Sequence, residues 1–155
     1  MNPRVESVVA RLRDADVLGQ VRILPERAHT AALAAEQLGI EVGAIANSLI
    51  FDADGTPLLV MTSGAHRVDT AKVATLLGIA SVRRGDPDFV RRHTGQAIGG
   101  VAPIGHPQPI GTLVDIELAR YEEVWAAAGH PSTVFPTSYV ELLRITSGTA
   151  AEVGD

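Results

Sequence analysis

The segment Gly99-Gly100-Val101-Ala102-Pro103-Ile104-Gly105 holds three glycines and one proline in seven residues. That composition allows tight turning and leaves main-chain N–H groups free of regular structure. Such amides can hold an oxyanion or a ribose hydroxyl. The same composition also serves as a plain connection, so the loop alone does not decide.

Other candidates surround it in the sequence. Asn47 alternates with Ile45, Leu49 and Phe51 along an expected strand, which puts an amide into an apolar row. Either it ties down neighbouring backbone or it lines a pocket. His130 stands between Gly129 and Pro131 at a strand end, a position that suits a cleft mouth. Ser63, Gly64, His66 and Arg67 fall between an expected hairpin and the next helix. Arg67 is either a phosphate partner or a surface arginine. Arg83-Arg84 and Arg91-Arg92-His93 form either a local cationic face for RNA or a solvated surface.

Side-chain nucleophile signatures are missing. Ser63 is not set in G-x-S-x-G, and neither G-x-x-x-x-G-K-[ST] nor G-x-G-x-x-G occurs. The five histidines have no helix-spaced pairing, and the chain has no cysteine. Nothing in the sequence calls for a cofactor or a metal. What remains is binding, or chemistry in which water and substrate supply the reacting groups.

The elements that must position these residues are legible. A first helix over Asn2–Ala15 carries Val5, Val8, Val9 and Leu12 on one face. A short strand is expected at Val21–Leu24, then a helix capped by Thr30 and ended by Gly39. Ala44–Phe51 and Pro57–Thr62 flank Asp54-Gly55, a hairpin signal. Asp69 to Gly78 bounds a helix with a Val73, Leu76, Leu77 stripe, and Asp86-Pro87 opens another that ends near Gly95. Strands are expected at Ala80–Arg83, Thr112–Ile116, Val124–Ala128 and Thr133–Phe135, with a last helix from Ser138 and a loose tail. Hairpins mixed among helices predict an α+β fold: a mixed, largely antiparallel sheet or barrel flanked by helices.

With 155 residues, 46% apolar and 20% charged, the chain suits one globular domain over residues 1–155. The start lacks a signal-peptide pattern and no apolar run reaches membrane-spanning length, so a cytoplasmic setting is expected. The net charge of −5 argues against broad nucleic-acid binding but not against gripping the last nucleotides of an RNA. Twelve cations are arginine and Lys72 is the only lysine.

Taken together, these features resemble the YbaK/ProX-like aminoacyl-tRNA deacylases, related to the editing insertion domain of prolyl-tRNA synthetases. The resemblance runs from about Thr30 to about Ala150. It rests on the helix Thr30–Gly39, the strand Ile45–Phe51, Ser63-Gly64 with Arg67-Val68-Asp69 and Lys72, Thr94-Gly95, the G-x-x-x-P loop Gly99–Pro103, and Asp115. It implies hydrolysis of the ester of mischarged tRNA carrying a small amino acid, without metal or cofactor. Gly99, Gly100, Val101, Ala102 and Pro103 would shape the reacting site. Substrate contacts would come from Thr30, Asn47, Ser63, Gly64, Arg67 and His130. The implied partners are the tRNA 3′ acceptor end and water, with a synthetase as a further candidate; neither DNA nor a membrane is implied. Many members carry a lysine where this chain has Asn47. Two alternatives therefore stay open: a module that binds the aminoacyl or nucleotide end without turnover, or a regulator of a synthetase.

Overall fold

The computed structural model describes residues 2–28 and 30–155. In chain order the elements are α1 (Pro3–Asp14), β1 (Arg22–Ile23), α2 (Ala31–Leu38), β2 (Ile45–Ala53), β3 (Thr56–Ser63), α3 (Thr70–Leu77) and β4 (Val82–Arg84). They continue with α4 (Pro87–Thr94), β5 (Gly111–Asp115), β6 (Val124–Ala127), β7 (Thr133–Thr137), α5 (Tyr139–Thr146) and β8 (Thr149–Ala151). Among the described residues, no helix is long and apolar enough to cross a membrane.

Local chemistry sets most boundaries. The side chains of Thr30, Asp69, Asp86 and Ser138 accept the N–H groups of Leu33, Lys72, Phe89 and Glu141, each satisfying an amide the helix start leaves orphaned. Each such cap contributes about 1 kcal/mol. The β2–β3 turn puts Asp54 at φ 51° and Gly55 at φ 92°, and the Asp52 carboxylate accepts the Gly55 N–H at 2.6 Å. Positive φ at both central residues matches the twist of the paired strands.

The sheet runs β1-β7-β6-β2-β3-β5-β8, with β4 added to β2 off this path. Pairings β1–β7, β6–β7, β2–β3 and β2–β4 are antiparallel, whereas β2–β6, β3–β5 and β5–β8 are parallel. The expected α+β class, with a mixed and largely antiparallel sheet, is what forms. One edge of β2 is covered along its length by β3. Its other edge changes partner: β6 pairs with Ile45 and Ala46, β4 with Phe51 to Ala53. Between the two, the sheet forks.

Both faces of the sheet are buried, but not evenly. On one face Ala46, Ile50, Leu59, Met61 and Val114 pack with Val8 and Leu12 of α1, Val90 of α4 and Leu142 of α5. On the other, α2 covers Ile45 through Ala34 and Ala35, while α3 covers Phe51 through Val73 and Ala74. Strand alternation puts Asn47 and Leu49 between those two helices, over the fork.

Two expectations need correction. Of the expected stripe on α3, Val73 is buried as expected, but Leu76 and Leu77 are exposed and Ala74 is buried in their place; on so short a helix the sheet reaches only one narrow stripe. Nor is the tail loose. Thr149–Ala151 pairs with β5, Val153 is fully buried, and Gly154 bridges to Val68. Thr149-Ala150-Ala151 is too short to show a period in sequence, and the open edge of β5 recruits it.

Candidate functional site

The Gly99–Gly105 loop crosses the molecule beside the fork in β2. Two neighbours hold it. From the end of α4, Gln96 accepts the Ala102 N–H through Oε1 at 2.7 Å and donates through Nε2 to the Ile104 carbonyl at 3.4 Å. Gln96 is itself held by Thr94, whose hydroxyl accepts its N–H at 3.0 Å. From the β6–β7 turn, the Gly129 N–H donates to the Gly100 carbonyl at 2.9 Å. His106 closes the far side, with Nε2 at 2.9 Å from the Ala102 carbonyl. Burial holds the His106 pKa below its usual 6.5, with nearby Arg11 adding to the effect and the Ala102 hydrogen bond opposing it.

Not every loop amide is uncovered. The Gly100 N–H donates to the Ala97 carbonyl at 3.1 Å, and the Ala102 N–H is taken by Gln96. Pro103 has none to give. The N–H groups of Gly99 and Val101 have no protein acceptor among the described residues, and these two residues line the cavity beside the loop.

That cavity has two parts. A recess of about 40 Å³ is walled by Ala31, Ala34, Trp125, Ala127, Pro131 and Val134. It adjoins a groove of about 540 Å³ that runs between α2 and the approach to α3, past Leu49, Phe51, Thr62, His66, Arg67 and Arg84. Thr30, Ala31, Asn47, Ser48, Gly99 and Val101 line both, so the amide of Asn47 stands at the junction opposite the loop.

Of the residues singled out in the sequence, Thr30, Asn47, His66, Arg67, Arg84, Gly99 and Val101 thus meet around one cavity. Gly100, Ala102 and Pro103 are buried behind it. His130 borders the loop through its main chain, while its Nδ1 accepts the Ser132 N–H at 3.0 Å. Ser63 lies outside the lining: its hydroxyl donates to the Gly43 carbonyl at 2.8 Å. Gly64 packs against Val42 and Ala31, where a side chain would not fit. Arg83 pairs with Asp52 at 3.8 Å, and the His93 ring packs on Phe89.

Three contributors were not singled out as site residues. Gln96 follows the helix-ending Gly95 with no distinguishing pattern. Trp125, the only tryptophan, is flagged by strand alternation alone, which sets it opposite Val124 and Ala126. Asp115 is fully buried and accepts from the Ser63 N–H at 2.9 Å, the Thr62 hydroxyl at 3.3 Å, the Glu117 N–H at 3.0 Å and the His66 ring. It braces the segment that carries His66 and Arg67. The main chain of Arg67 is further tied to Asp155, and Lys72 Nζ donates to the Gly154 carbonyl at 2.6 Å.

The aminoacyl-tRNA editing domain model matches residues 25–145. The uncharacterized Bacillus subtilis protein YwhH is 31% identical over 114 residues, covering 73% of this chain and 72% of its own. The proline–tRNA ligase of Geobacter sulfurreducens is 34% identical over 119 residues, which cover 72% of this chain but 21% of the ligase. A crystal structure described as a candidate trans-editing enzyme for prolyl tRNA synthetase superposes with a TM-score of 0.94 at 36% identity, covering 100% of this chain and 99% of that one.

Proposed function

Because the chain belongs to the aminoacyl-tRNA editing domain family, in its YbaK-like branch related to prolyl-tRNA synthetases, we propose that it hydrolyses the ester of mischarged tRNA carrying a small amino acid. The observation that carries this reading is the two-part cavity: a recess of about 40 Å³ that joins a groove of about 540 Å³ at Asn47, Gly99 and Val101. The recess takes a small acyl side chain, and the groove takes the terminal nucleoside. Size selection suits the task, because a missing methylene discriminates by only about 1–3 kcal/mol and a synthetase errs on small substrates.

Water adds to the ester carbonyl, and the charge that develops on its oxygen is met by the free amides of Gly99 and Val101. Donors aimed at developing charge in a water-poor site typically contribute about 3–4 kcal/mol each. The tetrahedral adduct then collapses with loss of the ribose oxygen, which takes a proton as amino acid and tRNA separate. The neighbouring ribose hydroxyl of the substrate assists in placing the water. No metal enters this scheme: the lining offers one imidazole and no carboxylate. Residues 1–155 act as one unit, in the cytoplasm, on tRNA delivered free or with a synthetase.

The test is a deacylation panel of tRNAs carrying alanine, serine, cysteine or threonine. Release of amino acid well above the uncatalysed rate is expected for small residues. Ala127→Val, which narrows the recess from a half-buried strand position, should lose the larger substrates first. No release from any tRNA would end the hydrolytic reading. Saturable binding without release would support the alternative that Asn47, in place of a lysine, leaves a binding module.

A further inference from the structure

We propose that Arg67 and Arg84 form a phosphate clamp in the wide groove, each holding one phosphodiester of the RNA 3′ end next to the ester-bearing nucleotide. This rests on the tRNA substrate proposed above and adds the residues that grip its backbone.

Charge is sorted in this molecule. Asp and Glu outnumber Lys and Arg by 18 to 13, yet the groove lining contains Arg67, Arg84 and His66 and no acidic residue. Three other arginines are neutralised where they stand: Arg83 by Asp52 at 3.8 Å, Arg120 by Glu117 at 3.1 Å and Arg144 by Glu141 at 3.6 Å. Arg67 and Arg84 make no ion pair among the described residues. They come from separate elements, one from the approach to α3 and the other from the end of β4, and both are exposed.

Each has a fixed base. The Arg84 guanidinium lies 5.8 Å from the centre of the Phe51 ring, which is itself part of the lining. The Arg67 main chain is pinned by Asp155 and by the Val68–Gly154 bridge. A guanidinium presents a planar fork that matches phosphate oxygens, and in Arg84 that fork is also backed by the Phe51 ring. The groove also has a direction. With the acyl group in the recess and the ester at Asn47, the terminal ribose and base lie across Leu49 and Ile98, and the chain leaves past the arginines. Gripping so few phosphates reconciles RNA binding with a net charge of −5.

The decisive measurement is fluorescence anisotropy with a labelled, uncharged acceptor-stem hairpin bearing a single-stranded 3′ tail, titrated with salt. Single-stranded contacts contribute a slope of about −0.7 each in log K against log salt, so two give about −1.4, or roughly a sevenfold loss of affinity between 50 and 200 mM salt. Arg67→Gln and Arg84→Gln should each remove about half of that slope, and the double variant should be nearly flat. Arg67→Lys and Arg84→Lys should keep the slope, and Arg120→Gln should match wild type. An unchanged slope in the double variant, or no saturable binding by wild type, overturns the clamp. Its failure is separable from that of the hydrolytic reading. Salt-dependent binding without amino-acid release leaves the clamp standing. Hydrolysis whose KM and salt response ignore both Arg→Gln changes removes the clamp alone.

Discussion

Gly100 lies against the main chain of His130: a Cβ at position 100 would stand 2.5 Å from the His130 carbonyl carbon and 2.7 Å from its Cα. Both neighbours are backbone, so no rotamer change relieves the contact. The adjacent Gly99 has open space around a Cβ but sits at φ 88°. One glycine is required for room, the other for conformation. Gly100→Ala should therefore push the loop off the β6–β7 turn, destabilise by about 1–3 kcal/mol and slow deacylation about a hundredfold, the cost of a displacement near 1 Å. Thermal melts and single-turnover rates check this; a fully active variant with an unchanged melting temperature refutes it.

Gln96 holds the loop without reaching the cavity. Removing its side chain in Gln96→Ala strands the Ala102 N–H, whose residue is fully buried. An orphaned buried amide costs about 1–3 kcal/mol. The expected result is faster hydrogen exchange at Ala102 and a lower kcat with little change in KM, because the amides of Gly99 and Val101 lose their fixed setting. A change in KM alone would contradict this positioning role.

His106 sets a pH dependence of stability. Burial lowers its pKa in the folded chain below 6.5, so on acidification the unfolded chain takes up a proton that the folded ring resists. The stability it contributes is complete above pH 6.5 and is lost as pH falls from there towards the folded value. His106→Gln keeps a donor for the Ala102 carbonyl and does not titrate. Its melting temperature should fall less than that of wild type between pH 7 and 5; identical slopes would show that His106 is not responsible.

Much of the fold was legible because it is written in short-range chemistry. Thr30, Asp69, Asp86 and Ser138 announce helix starts, Gly39, Gly78 and Gly95 announce ends, and Asp54-Gly55 announces the hairpin. Each acts within four or five residues, so each is visible without knowing the fold. The cavity was only partly legible. Asn47 stood out as a polar residue in an apolar row, and Gly99 to Pro103 as a loop that must bend. Gln96 and Ala127 had no mark, because what makes them important is a neighbour far along the chain.

By itself, then, the sequence determined which segments become helices and strands, where they stop, and which apolar stripes must be covered. Only the tertiary structure decided which amides of the loop stay free, that Ser63 is spent on the Gly43 carbonyl, and that the tail closes on β5. The physical reason is range. Caps, turns and alternation are settled between near neighbours, whereas a cavity exists where α2, α3 and the loop leave the fork in β2 uncovered, and that gap is a property of their packing together.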